Sequence, residues 1–598
     1  MRRPAAVTTA LALAALALPV LASTAPALGA PRATDKVPTA IGSGGAVASV
    51  DPDATAAGLE ILAKGGNAVD AAVATAAALG VTEPYSAGIG GGGFFVVYDA
   101  KTKRVHTIDG RETAPAAMRP DSFLEAGKPI PFAEAVTSGL SVGVPGTART
   151  WERALEQFGT RDLAEVLRPA TKIAQKGFVA DQTYTDQTAA NAERFRDFTS
   201  SADYYLTADG QAPRPGTVVK NPDLAKAYKL LGKLGAERAF YAGPLGRAVA
   251  ETAARPPQVE GSTRTVRPGL MTPQDVTSYD APLRAPTRIG YRGLEVWGMA
   301  PPSSGGSTVG EALNILEGYE LGGLTRTEAL HRYLEASALA FADRGRYVGD
   351  PSYTRVPLTE LLSDGFAADR RACINPATAA SKPVPAGVPD GSYDGQCGPA
   401  AAPYDPATEG LSTTHLTTAD RWGNVVAYTL TIESTGGSGI AVPGWGFLLN
   451  NELTDFDFGP AASPNRPAGG KRPRSSMAPT IVTRDGSPVL ALGSPGGSTI
   501  ITTVLQVLVE HLDLGRSLPD AVAAPRASQR NGTATSAEPA FLAAEAPGLQ
   551  AKGHTFTSVA ELGALTGVAL LPDGRFMAVA EPTRRGGGSA AVLRLSGP

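Results

Sequence analysis

Only two cysteines occur in 598 residues, Cys373 and Cys397, and the five histidines (His106, His331, His415, His511, His554) show no zinc-ligand spacing. That excludes a disulfide-dense scaffold, and neither a metal nor a cofactor is expected. An excess of one charge is equally lacking. Lys+Arg 54 against Asp+Glu 57 gives a formal net charge of -3 with no basic run. A chain that neutralises phosphates carries a basic excess, so nucleic acid is set aside as a partner and a small-molecule substrate is expected. Beyond the first residues no stretch reaches about 18 uninterrupted apolar positions, so no membrane span is expected in the mature protein. Neither G-x-x-x-x-G-K-[ST] nor a strand/G-x-G-x-x-G/helix unit occurs, so the Gly-rich runs do not read as nucleotide cradles.

What is present is a globular composition, 43% hydrophobic and 19% charged, on a chain long enough for several packed layers. The start, Met1-Arg2-Arg3, then an apolar run from Leu11 to Leu21, then Ala25-Pro26-Ala27, has the three-part layout of a secretory leader. A signal peptide over residues 1–30 is expected, cut between residues 25 and 30, with a secreted or periplasmic mature protein. In an exported chain Cys373 and Cys397 are expected to form one disulfide, two free thiols being the alternative.

Residues 53–79 read as two helices separated at Lys64-Gly65-Gly66. The turn Gly88-Ile89-Gly90-Gly91-Gly92-Gly93 delivers a strand from Phe94 to Asp99, and a second strand covers Val105 to Asp109. From Phe132 to about Ser363 the pattern is mainly helical, and residues 379–412 lose periodicity, as a mobile surface tail would. Strands then dominate: Thr414 to Ala419, a turn at Arg421-Trp422-Gly423-Asn424, Val425 to Ile432, Thr480 to Thr483 and Val489 to Leu492. Gly493-Ser494-Pro495-Gly496-Gly497 opens a helix from Thr499 to His511, and more strands lie near 565–595. Sheets covered by helices are expected.

The stretch LSTTHLTTADRWGNVVAYTLTIES at 411–434 sets Thr-Thr-His before a strand, a turn and a second strand. A threonine hydroxyl is a poor nucleophile unless a base takes its proton. Cutting Ser412-Thr413 would supply one, the new α-amine of Thr413. Ordinary strand threonines are the alternative reading.

Eight markers in order carry a resemblance: GGNAVDAAVA at 65–74, GIGGGGF at 88–94, DGRETAP at 109–115, PPSSGG at 301–306, TTH at 413–415, LLNNE at 448–452, RPRSSM at 472–477 and GSPGGS at 493–498. Together they resemble the gamma-glutamyltransferase (glutathione hydrolase) family of N-terminal nucleophile hydrolases. The resemblance implies an α/β (α+β) fold, an αββα four-layer sandwich made as one precursor. Self-cleavage would yield a large subunit, 31–412, and a small catalytic subunit, 413–598, held as a heterodimer. It further implies Thr413 as nucleophile, Thr431 as the residue that orients it, and the N–H groups of Gly496 and Gly497 as oxyanion hole. Arg111 would hold the substrate α-carboxylate with help from Ser475 and Ser476, and Glu452 and Asp455 would receive the α-ammonium. The implied substrate is a γ-glutamyl compound such as glutathione, with water or an amino-acid or peptide acceptor. His415 is expected to be structural, because the terminal amine already fills the base role.

Two departures bear on specificity. Glu433 stands where many family members have Asn beside the substrate's amino and carboxylate groups. The stretch from Asp455 to Ser475 looks shorter than the family's lid and has no Tyr to latch it. Hydrolysis is therefore favoured over transpeptidation. The alternatives are an acylase for glutaryl-type amides and a non-catalytic binder of amino-acid-like ligands.

Overall fold

Two seven-stranded antiparallel sheets form the frame of the molecule in this computed structural model, which describes residues 34–393, 397, 412–459 and 462–594. The expected leader, and most of the tail from 394 to 411, lie outside the described residues. In chain order the strands are β1 (Thr39–Gly42), β2 (Gly45–Ser49), β3 (Gly92–Asp99), β4 (Arg104–Gly110), β5 (Leu283–Arg284), β6 (Thr287–Tyr291) and β7 (Leu294–Gly298). They continue as β8 (Thr414–Asp420), β9 (Val425–Thr431), β10 (Thr480–Arg484), β11 (Ser487–Gly493), β12 (Thr566–Leu570), β13 (Phe576–Ala580) and β14 (Ser589–Val592). One sheet is ordered β14-β2-β8-β9-β3-β4-β5, the other β1-β13-β12-β11-β10-β7-β6.

The helices that cover them include α1 (Pro52–Ala63), α2 (Ala68–Thr82), α3 (Thr147–Phe158), α4 (Gln182–Phe195), α5 (Gly305–Glu317), α6 (Arg326–Tyr347) and α7 (Thr499–Leu512). Side chains alternate across a strand, so each sheet presents two faces. Phe95, Val97, Leu416, Tyr428 and Leu430 pack against α1, α2 and α3. Their neighbours Phe94, Val96, Val425 and Ala427 belong to a second core shared with Ile481, Val482, Leu490 and Leu492 of the other sheet and with residues of α5, α6 and α7. The result is the αββα sandwich that the resemblance implies.

Local chemistry explains the elements around the site. Asp51 caps α1 by accepting from the Ala54 amide at 2.8 Å, and Asn67 caps α2 in a reciprocal box with Asp70. Such a cap contributes about 1 kcal/mol. Between them Gly65 takes φ 82°, which ends α1. Every residue of α2 is buried, which its alanines permit in a crowded layer. The glycine run before β3 is a matter of space. A Cβ on Gly90 or Gly91 would lie 2.0 Å from the Leu448 or Thr431 carbonyl oxygen, and one on Gly92 or Gly93 would lie 2.3 or 2.4 Å from those of Gly110 or Thr429. The run lets β3 and its approach lie close against β9.

Two expectations need correction. The mainly helical stretch contains the hairpin β6–β7, whose inward positions alternate with exposed or half-exposed ones. The expected mobile tail is docked at its beginning: Lys382 ion-pairs with Glu335, Val384 donates to Asn531 at 2.7 Å and Gly387 to Asp343 at 2.6 Å. Among the described residues no helix is long and apolar enough to cross a membrane.

Candidate active site

β8 and β9 pair with Thr414 opposite Leu430, so the residues one step beyond, Thr413 and Thr431, face each other. Their hydroxyl oxygens are 3.1 Å apart, and the Glu433 amide donates to Thr431 Oγ1 at 2.8 Å. Thr413 has φ 141°, a region that β-branched residues seldom adopt. Two residues on, the same face carries His415, whose Nδ1 is 2.7 Å from Thr429 Oγ1 and whose Nε2 is 3.1 Å from Thr417 Oγ1. A Cβ on Gly493 would lie 2.4 Å from the imidazole, so the glycine makes room for it. Burial pushes the His415 imidazole down to about 3, leaving it neutral and wedged between the sheets.

Thr413 and Thr431 open into a cavity that Arg111, Ser412, Glu433, Glu452, Asp455, Ser475, Ser476, Met477, Gly497 and Ile500 also line. Arg111 is 1% exposed, and each of its three side-chain nitrogens has a partner. Its fork pairs with Glu452 and, at 2.5 Å, with Asp455, while Nε and Nη2 donate to the carbonyls of Pro473 and Arg474 at 3.0 and 2.9 Å. A guanidinium suits this task because its donors are fixed in a plane. The cation and the two carboxylates assigned to opposite ends of a substrate thus satisfy each other here.

Glu433 sits at φ 77°, its carboxylate accepting from Ser434 Oγ at 2.5 Å and from Asn451 Nδ2. Ser475 is fixed by the PPSSGG turn: Ser304 N donates to its carbonyl at 2.7 Å and its own amide to Pro302 O at 3.0 Å. Ser476 Oγ accepts from Arg344 Nη2 at 2.7 Å. Gly496 and Gly497 take φ 129° and 55°, turning the chain from β11 into the first turn of α7. Gly497 lines the cavity, next to Gly496 in the chain.

Sequence reasoning passed over several residues. Glu112 is fully buried behind Arg111, neither carboxylate oxygen has a hydrogen-bond partner, and burial pushes its carboxyl up to about 8 against the pull of Arg111. Asn450 ties the glycine run to the loop before α3 by donating to Gly90 O at 2.7 Å and Gly143 O at 2.9 Å. Tyr85, Ser86 and Arg585 reach the Ser412-Thr413 pair. No sequence signal marked Arg585, whose neighbourhood forms only in the fold.

Cys373 and Cys397 are joined by a disulfide with Cα atoms 5.6 Å apart. Histidines that looked scattered meet as well: donor atoms of His331, Glu335 and His554 lie within 4.8 Å of one another. They are satisfied without an ion, since His331 Nδ1 faces His554 Nε2 at 2.8 Å and Glu335 holds Lys382.

Known proteins share this arrangement of sequence and fold. Residues 54–591 match the sequence model of the family described as Gamma-glutamyltranspeptidase. The glutathione hydrolase proenzyme of Bacillus subtilis (strain 168) is 40% identical over 553 residues, covering 91% of this chain and 91% of that protein. The acylase ACY 1 proenzyme of Pseudomonas sp. (strain V22) is 37% identical over 545 residues, covering 90% of this chain and 91% of that one. Among solved structures, cephalosporin acylase from Bacillus halodurans superposes with a TM-score of 0.81 at 28% identity, over 95% of this chain and 99% of the other.

Proposed function

Because this chain belongs to the gamma-glutamyltranspeptidase family, we propose that it is an exported enzyme that cleaves γ-glutamyl amides such as glutathione, using Thr413 made N-terminal by self-cleavage. The observation that carries this reading is the Thr413–Thr431 hydroxyl pair, 3.1 Å apart in a cavity that also holds Arg111, Glu452 and Asp455. Thr413 Oγ attacks the γ-carbonyl carbon, its proton passing to the α-amine and on to the leaving amine. The oxyanion is held by the N–H groups of Gly496 and Gly497. Water, or an acceptor amine, then attacks the γ-glutamyl ester and restores Thr413. Every group in this scheme belongs to the chain itself, the two cut fragments staying together as a heterodimer. The apolar run from Leu11 to Leu21 supports export.

The Arg111–Glu452–Asp455 cluster supports an amino-acid head group. A zwitterion can insert its carboxylate at Arg111 and its ammonium at the two acids, so that no buried charge loses its partner. A glutaryl group brings only the carboxylate and would leave the acids uncompensated. The acylase relatives favour a second reading, cleavage of glutaryl-type amides.

Purified protein given equal amounts of glutathione and a glutaryl amide, with products followed by mass spectrometry, decides between them. Glutamate and cysteinylglycine are expected. Glutarate as main product would establish the acylase reading, and a chain that remains uncut and inert would refute both.

A further inference from the structure

One guanidinium ends both arms of the hydrogen-bond network around the Ser412-Thr413 bond. Arg585 Nη1 donates to the Thr413 carbonyl oxygen at 2.7 Å, and Nη2 donates to Ser86 Oγ at 2.9 Å. Ser412 has a single hydroxyl proton and gives it to the Tyr85 carbonyl, so the bond between the two serines runs from Ser86 to Ser412. Ser86 receives from Arg585 and gives its proton to Ser412 Oγ, 2.8 Å away, and Ser412 donates to the Tyr85 carbonyl at 3.1 Å.

The backbone of Arg585 is held in a disfavoured conformation to do this. Its φ is 53°, its amide donates to Glu561 at 3.0 Å, and its carbonyl accepts from Thr183 Oγ1 on α4 at 3.1 Å. Left-handed backbone is costly for an L-residue, so these anchors are what keep the side chain aimed at Thr413.

The surrounding charges are few. Glu83 lies 3.8 Å from Nη2, on the Ser86 side, and Lys36 and Asp181 face Glu83 while pairing with each other at 3.0 Å. On the cavity side stand Glu433 and the mutually paired Arg111, Glu452 and Asp455. His415, next but one along β8, is neutral. The cation in contact with the backbone of Thr413 is Arg585.

We propose that Arg585 is a positioning residue with two successive tasks, an inference that rests on the reading of Thr413 as nucleophile. In the uncut chain it fixes the Ser412-Thr413 bond for attack. After the cut it keeps the new α-amine in the neutral form that a general base requires. A residue's own nitrogen and carbonyl oxygen are about 3 Å apart, which puts the guanidinium within about 6 Å of the amine. A like charge at that range disfavours the ammonium form, and a terminal amine already titrates near about 8. The arginine therefore moves the base towards working pH.

Arg585→Gln keeps a donor for the Thr413 carbonyl and loses the charge; Arg585→Lys keeps the charge and loses the fork. Both are made in the full chain, with cutting followed by gel and intact mass, and kcat/KM for γ-glutamyl-p-nitroanilide measured against pH. For the Gln enzyme, the acid limb is expected to move to higher pH by about one unit, while Lys leaves the limb near that of wild type. Lys should slow cutting about tenfold or more, since the bridge to Ser86 is lost. A Gln enzyme whose acid limb coincides with that of wild type overturns the second task. A Lys precursor cut at the wild-type rate overturns the first. If Gln does not fold, guanidinium ion added to Arg585→Ala takes its place, and failure to restore cutting counts against the proposal. Wild-type protein that is itself uncut would instead sink the nucleophile reading, so the two failures are separable.

Discussion

Thr431 Oγ1 accepts the Glu433 amide at 2.8 Å and lies 3.1 Å from Thr413 Oγ1, so one hydroxyl ties the proposed nucleophile to the residue that departs most from the family pattern. Thr413 donates to Thr431 Oγ1, which accepts the Glu433 amide as well, so Thr431 holds the hydroxyl of the proposed nucleophile from the acceptor side.

Thr413→Ala is expected to remain a single chain without turnover, whereas Thr431→Val, which keeps the shape and loses the hydroxyl, should still be cut. Its kcat should fall roughly 10- to 100-fold. A gel of the purified variants and a progress curve read both effects. Full activity in Thr431→Val would remove the orienting role.

Arg111→Ala removes the cation that pairs with Asp455 and with Glu452, which is 1% exposed. Breaking a buried pair from one side typically costs about 3 to 5 kcal/mol, so the melting temperature should drop along with affinity. The half-saturating γ-glutamyl concentration should rise far more than cutting slows. Equal damage to both would show that Arg111 is structural.

Glu433→Asn removes a negative charge from the cavity wall while preserving a partner for Ser434 and Asn451. If that charge selects the ammonium-bearing head, the variant's ratio of glutamate to glutarate released from mixed substrates should shift towards glutarate. An unchanged ratio would leave Glu433 without a part in selection.

Glu112 gives a pH signature. Its folded carboxyl is pushed up to about 8 from 4.5, so between those values the folded state holds a proton that the unfolded state has released. Stability from this group is complete below pH 4.5 and is lost as pH rises towards about 8, by about 1.4 kcal/mol per pH unit. Melting curves of Glu112→Gln against wild type should therefore shift in favour of Gln as the buffer becomes more alkaline. Parallel curves would mean that the carboxyl finds a partner in solution.

The pair His331–His554 acts in the opposite direction. Burial holds His554 down at about 3 from 6.5, so its contribution is complete above pH 6.5 and is lost as pH falls towards about 3. Thermal denaturation should show wild type losing stability below pH 6.5, with a shallower slope in His554→Asn. His415 keeps part of the slope in either chain, since it is held down in the same way.

Much of this was legible along the chain wherever neighbours in sequence make the feature. The β8–β9 hairpin announces itself by alternation and a four-residue turn, and once Thr414 faces Leu430 the opposition of Thr413 and Thr431 follows. The helix caps at Asp51 and Asn67 are local as well. The glycines before β3 could be noticed but not explained, because the carbonyls they avoid belong to Thr429, Thr431 and Leu448. His331 and His554 are 223 residues apart, and Arg585 is 172 from Thr413, so no window of sequence contains either pair. The hairpin β6–β7 is hidden by its brevity within a stretch whose pattern is mainly helical.

The strand order says what a cut before Thr413 would and would not release. β2, from before the cut, is gripped on one edge by β14 and on the other by β8, both from after it, while β1 and the hairpin β6–β7 enclose β10 to β13 from the two ends of the second sheet. The fragments would be woven rather than docked. Pulling them apart would mean unzipping ladders within both sheets, so for a molecule cut there dissociation and unfolding would be one event, and its persistence at high dilution would be set by folding stability instead of by an affinity between preformed halves.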